Sequence, residues 1–152
     1  MRSFLVAVTA LLLATQPVLA DSPPKPAKSK YLKTTGAGFL MSAGNGVQYG
    51  MNYELRKSLA EPLYIVATFD NPADATVPLR AEVVVQPGAR DFQLQSPFIT
   101  VITHDTKYKV VLELFSDAAH TQLIGTHEQL VLFSVPPAYE AMLEEKMGMQ
   151  IQ

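Results

Sequence analysis

Between Gly36 and Val135 the chain alternates apolar and polar residues with a period of two. In "VQYGMNYELR", Val47, Tyr49, Met51, Tyr53 and Leu55 share one side, and Gln48, Gly50, Asn52, Glu54 and Arg56 share the other. A strand turns successive side chains to opposite faces, so this segment reads as a half-buried strand with one wet face. Gly44-Asn45-Gly46 supplies the positive backbone angles of a tight hairpin, which makes "GFLMSAGNG" a short first strand and its turn. "PLYIVATF" stops at Asp70-Asn71-Pro72, and "VPLRAEVVV" turns Val77, Leu79, Ala81, Val83 and Val85 inward before Gln86-Pro87-Gly88. "RDFQLQ" and "FITVIT" are two strand pieces broken by Ser96-Pro97, since proline donates nothing to a central ladder. "KYKVVLELF" is the clearest central strand, and "QLIGTHEQLVLFSV" pairs back onto it across "SDAAHT", with a bulge at Gly125.

After Val135 the period changes. Pro136-Pro137 opens "PPAYEAMLEEKMG", where Tyr139, Met142, Leu143 and Met147 fall on one helical face and Gly148 ends the turn. The pattern predicts an all-β protein: an antiparallel β-sandwich of seven or eight strands with one short C-terminal helix.

The stretch "THDTKYKVVLEL" adds a family resemblance. The spacing of Ile102, Thr106, Tyr108, Val110 and Leu112 resembles the entry to the sixth strand of fibronectin type III and related immunoglobulin-like domains, over about a dozen residues. The resemblance implies an immunoglobulin-like sandwich in which the Tyr108 ring enters the core and its hydroxyl bonds nearby backbone. Asp105 and Thr106 read as the turn ahead of it. Two departures stand out: His104 occupies the place of the usual proline, and the tryptophan of both families is missing. Tyr64, Phe69 or Phe92 would have to fill that core space.

The ends divide the chain. "MRSFLVAVTALLLATQPVLA" combines Arg2, an apolar run from Phe4 to Ala14 and small residues ahead of a cut after Ala20, which is the grammar of a secretory signal. The run is about half of the ~20 residues that a bilayer span needs. The expected division is a signal peptide over 1–20, a disordered Pro/Lys-rich leader over 21–35, the sandwich over 36–135, and an amphipathic helix with its tail over 136–152. Residues 21–33 hold four lysines and one aspartate, whereas Thr34 onward holds seven basic and thirteen acidic side chains. A basic leader on an acidic body argues against nucleic acid as a partner. The chain has no cysteine, which removes disulfides, thiol catalysis and thiolate metal sites, and favours a bacterial periplasm or exterior.

Little in the sequence points to catalysis or to a cofactor. If "KYKVVLELF" is one strand, His104 and His120 lie at its two ends, roughly 30 Å apart, and His127 lies on the order of 20 Å beyond His120. Shared metal ligation needs each imidazole within about 2 Å of the ion. His104 and Asp105 are sequence neighbours, which in an extended segment face opposite ways, and no G-x-S-x-G or comparable motif supplies a nucleophile. Asp105 reads as a turn residue capping local amides, and His104 as part of the same turn. Met147 and Met149 form an M-x-M that would suit Cu(I), but the methionines also fit helix and strand packing.

The remaining anomaly is apolar residues on faces that alternation makes wet. Tyr64, Val66, Val84, Val111 and Phe115 point outward, and Leu130 to Phe133 are apolar on both sides. Part of an outer face must be covered, either by the terminal helix laying Tyr139, Met142, Leu143 and Met147 over it, or by a second copy or another protein. The expected function is therefore a non-enzymatic periplasmic or secreted interaction or structural domain, acting through an apolar sheet face or an edge strand. The alternative is a periplasmic copper protein with Met and His ligands.

Overall fold

The computed structural model describes residues 29–152. The expected signal peptide and the expected leader up to residue 28 lie outside the described residues. The strands are β1 (Leu32–Ser42), β2 (Gly46–Leu55), β3 (Leu63–Phe69), β4 (Leu79–Val85), β5 (Asp91–Gln95), β6 (Val101–Ile102), β7 (Thr106–Phe115), β8 (Leu123–Phe133) and β9 (Gln150–Ile151), with α1 (Pro137–Met147) between β8 and β9. Seven strands build two antiparallel sheets, in the orders β1-β2-β5 and β4-β3-β7-β8. The other two, β6 and β9, form a short parallel pair. This is the all-β sandwich with one short C-terminal helix that the period-two pattern implies.

Alternation decides which face each strand buries. Val47, Tyr49, Met51 and Tyr53 of β2 are buried opposite Leu63, Ile65, Ala67 and Phe69 of β3 and Tyr108, Val110, Leu112 and Leu114 of β7. The rings interlock between the sheets: Tyr49 stacks on Phe69 with centroids 5.1 Å apart, and Phe39 meets Tyr49 at 4.8 Å and Phe133 at 5.2 Å. Of the residues expected to stand in for tryptophan, only Phe69 joins this cluster. Tyr64 points out of the sheet, and Phe92 stacks on Tyr53 at 5.2 Å.

Two boundaries differ from the sequence reading. The first strand begins at Leu32, inside the stretch assigned to the leader, because Leu32 is fully buried opposite Leu55 and Thr34 is bonded in the interior. Proline and lysine around these residues mask the two inward positions in a composition average. Conversely, β4 starts only at Leu79, leaving Val77 57% exposed in the preceding loop. The hairpin glycines behave as expected: Gly46 has φ 95°, and a Cβ there would run into the carbonyl of Ile99. The β7–β8 ladder slips a register at Leu114/Phe115, opposite Gly125, and the missing side chain of Gly125 makes room for the Tyr31 ring.

The helix does not lie on a sheet face. It closes the end of the sandwich where β7 starts and β8 finishes. Proline stands in its first turn and Gly148, at φ 65°, reverses the chain after it. The Gly44 amide in the β1–β2 turn donates to Lys146 O at 3.1 Å. Beyond the helix, Gln150 N donates to Thr100 O, Gln152 N to Ile102 O and His104 N to Gln152 O, at 2.7 to 2.9 Å. Leu143 is fully buried and Met149 is 4% exposed, whereas Tyr139 is 54% exposed. Removing Leu143 therefore opens a cavity in the closed end. Leu143→Ala is expected to lower unfolding free energy by about 2–4 kcal/mol in urea titrations, and Tyr139→Ala to stay within about 0.5 kcal/mol of the parent.

Candidate functional site

The outer face of the four-stranded sheet carries the apolar row. Register places Val84 of β4 opposite Tyr64 of β3, and Tyr64 opposite Phe115 of β7, so the three side chains lie side by side across three strands. Val84 is 47% exposed and Tyr64 is half-buried, while Phe115 is 9% exposed. Phe115 is sheltered by His120 from the β7–β8 turn, whose ring lies 5.1 Å from it and 6.4 Å from Tyr64. The turn is stiff: the Asp117 carboxylate accepts from the Thr121 hydroxyl and from the amides of Thr121 and Gln122, bonds that hold its pKa below the ordinary aspartate value. His120 itself takes a left-handed φ of 54°.

The next positions inward along the strands are less available. Val66 is only 7% exposed, and Val111 is half-buried opposite Thr68 and Glu128. The cover expected from the helix is absent, since α1 sits at the other end of β7, about 30 Å away at the rise of a ten-residue strand. Met142 packs against the core and Leu143 belongs to it, so neither offers a binding face, and Tyr139 is isolated from the row.

The corner is built as the resemblance implies. The Tyr108 hydroxyl accepts from Thr103 N at 2.8 Å and is 3.4 Å from Thr103 O, with its ring in the core. The Thr106 hydroxyl donates to His104 O at 3.2 Å. Asp105 departs from its expected role, because its carboxylate accepts from the Ser134 hydroxyl at 2.7 Å and lies 3.2 Å from His104 Nε2. The two neighbours meet because the segment is a tight turn and not extended, with Asp105 at a left-handed φ of 50°. His104 Nδ1 lies 3.4 Å from Glu140 of α1, within ion-pair distance but misaligned for a hydrogen bond. His104 is thus more than a turn residue, since it faces the helix across the corner. The arrangement is a clamp: Ser134 Oγ is hydrogen-bonded to the Asp105 carboxylate rather than to the His104 imidazole, which is not the serine–imidazole–carboxylate order of a triad.

A second polar cluster lies inside the sandwich, and strand reading missed it. His127 and Gln129 of β8 are 2% and 5% exposed and face Thr34 of β1. Thr34 Oγ1 donates to Gln129 Oε1 at 2.6 Å and lies 3.0 Å from His127 Nε2. Tyr53 meets the His127 ring edge to face at 5.5 Å. Burial raises the Tyr53 phenol above its ordinary pKa and lowers that of the His127 imidazole. The signal was available: inward parity at Val131 and Phe133 dictates inward parity at Gln129 and His127.

Four of the five described methionines are buried or pack against the core, whereas Met41 is 47% exposed. Met51 is 1% exposed and Met149 4%, while Met142 and Met147 pack against the core, so the M-x-M thioethers fill space at the closed end. Among the described residues no group of three or more His, Cys, Asp or Glu could hold a metal ion. Among them, too, no helix is long and apolar enough to cross a membrane.

No family model matches this chain, and no curated protein matches it. Among solved structures it is similar to a β-glucuronidase of Bacteroides uniformis, at 16% identity and a TM-score of 0.40. A second is Bacteroides uniformis β-glucuronidase 2 covalently bound to cyclophellitol-6-carboxylate aziridine, at 14% identity and the same TM-score. In both, 68% of this chain is covered, and it spans 13% of the other. A likeness of that size carries no functional argument.

The corner can be tested by one oxygen atom. Tyr108→Phe leaves the Thr103 amide without its acceptor and is expected to cost about 1–2 kcal/mol of unfolding free energy. Ser134→Ala, at the exposed end of the clamp, is expected to cost less than about 0.5 kcal/mol. Urea denaturation of the two variants beside the parent measures the difference.

Proposed function

We propose that this is a non-enzymatic, secreted or periplasmic interaction domain of the immunoglobulin-like, fibronectin type III-like kind. It binds another protein surface through the outer face of the four-stranded sheet. The observation that carries the reading is the row Val84, Tyr64 and Phe115, aligned by register on a face that alternation leaves to water. Supporting it, the terminal helix leaves the row uncovered and is engaged at the opposite end, with Leu143 and Met149 in the core.

The row also has a suitable frame. β4 is an edge strand with half of its backbone groups unpaired within the sheet, so a partner reaching Val84 meets apolar side chains and hydrogen-bonding groups together. Arg80 and Glu82 continue along β4 as a charged rim beside the row. The Tyr108 spacing and its hydroxyl bond to Thr103 support the fibronectin type III-like assignment. The Lys-rich leader and the apolar run before Ala20 support export.

The test compares the two outer faces of the same protein. A photo-crosslinking residue is placed at Val84, or at Gln93 on the outer face of the three-stranded sheet, and the protein is irradiated in the periplasm of its host. The expected result is a discrete adduct, to another protein or to a second copy, from position 84 and none from position 93. Val84→Glu in the protein carrying a probe at Tyr64 should abolish the adduct while leaving thermal stability unchanged. Equal labelling from both positions, or none from either, would sink the proposal.

A further inference from the structure

The Thr34 hydroxyl has one hydrogen, and it goes to Gln129 Oε1 at 2.6 Å. His127 Nε2, 3.0 Å from the same oxygen, must then be the donor in their hydrogen bond. In the neutral imidazole that proton sits on Nε2, and Nδ1 is a buried nitrogen without a hydrogen-bond partner. A second proton would have to go on Nδ1, creating a cation and an unmet donor in the same dry place.

The Gln129 contact favours that cation, but burial outweighs it. From β1 it faces Thr34, from β2 Tyr53, from β7 Leu112 across the ladder, and from its own strand Gln129. Tyr53 is held protonated by burial, and no carboxylate is among these neighbours. The charged group that bears on the ring is Arg56, just past β2, and its sign is unfavourable. Glu128 is next in sequence but points to the exposed outer side of β8.

The location makes the consequence local. β1 pairs in its sheet only with β2, and β8 only with β7, so both are edge strands. They meet across the open side of the sandwich through Thr34, His127 and Gln129. β1 is weakened at that point by a register shift between Thr34 and Gly36. Parting them leaves the central β3–β7 ladder intact.

We propose that the meeting of β1 and β8 is an acid-sensitive seam: proton uptake by His127 parts β1 from β8 and opens that side of the sandwich while β3 and β7 stay paired. Burial, more than the Arg56 charge, lowers the imidazole below its ordinary pKa of 6.5, with the Gln129 contact opposing. A folded-state pKa below the unfolded one gives stability that is complete above about pH 6.5 and is lost as pH falls toward the folded value. The opened seam bares the interior beneath β1 and β8, Tyr53 and Leu112 included, while β1 remains paired with β2.

Hydrogen exchange of the whole protein tests the seam, at about pH 7.5 and about pH 5.5 with rates corrected for intrinsic pH dependence. Protection in β1 and β8 is expected to fall severalfold in acid, because burial holds the His127 imidazole below its ordinary pKa, while β3 and β7 hold theirs. In His127→Gln the fall should vanish, and in His104→Gln and His120→Gln it should persist. An equal fall in all strands, or the same fall in His127→Gln, overturns the proposal. Should His127→Gln fail to fold, the imidazole resonances of the parent decide: a folded-state midpoint below 6.5 upholds the seam, and one at or above it overturns it.

Discussion

With no cysteine and no tryptophan, the two sheets are joined by interlocking rings, and the remaining structure depends on that contact. Tyr49 from the three-stranded sheet stacks on Phe69 from the other, and Phe39 and Phe133 close around it. The Tyr49 hydroxyl then donates to Asp70 O at 2.8 Å, just past β3, and Asp70 in turn accepts from Lys109 N at 2.7 Å. One buried side chain thereby ties β2 to β3 and, through Asp70, to β7. Its burial raises the phenol far above its ordinary pKa, so the hydroxyl stays protonated and the bond persists over the accessible pH range.

The two ends of the sandwich differ because of what that core leaves unfinished. At the end near Tyr49 and Tyr108, the passage from Ser96 to Asp105 presents open backbone groups at β6, and the C-terminal segment answers them with β9 and seats Leu143 and Met149 over the core. At the far end no helix arrives. There Val84 and Tyr64 remain on the surface, and the interior holds His127 and Tyr53 with unmet polar atoms.

Much of the fold was legible in particular residues. The alternation of Val47 to Tyr53 and of Tyr108 to Leu114 gave the right buried faces, and the glycine-rich turn before β2 gave the hairpin. The Tyr108 hydroxyl bonds the backbone at Thr103, a role that the family resemblance had implied. The outer row was legible as well, because an apolar residue at a wet parity is visible without coordinates. The interior cluster was not, because a histidine and a glutamine on a core parity look like solvent-facing residues until Thr34 is known to stand opposite. Likewise, the helical stripe showed that a face of α1 is buried but not against what, and the His104–Asp105 contact needed the left-handed Asp105 backbone.

By itself, then, the sequence determined where most of the strands lie, which face of them is apolar, and where the chain turns. These are consequences of a period of two and of turn chemistry, both of which act within a few residues. Only the tertiary structure decided that β1 meets β8 through a buried histidine, that the helix closes an end and leaves the outer row bare, and that Ser134 and Glu140 converge on the corner. Such contacts join residues as far apart as Thr34 and Gln129. Their energy exists only once two surfaces have been brought together, and no local pattern records which surfaces those are.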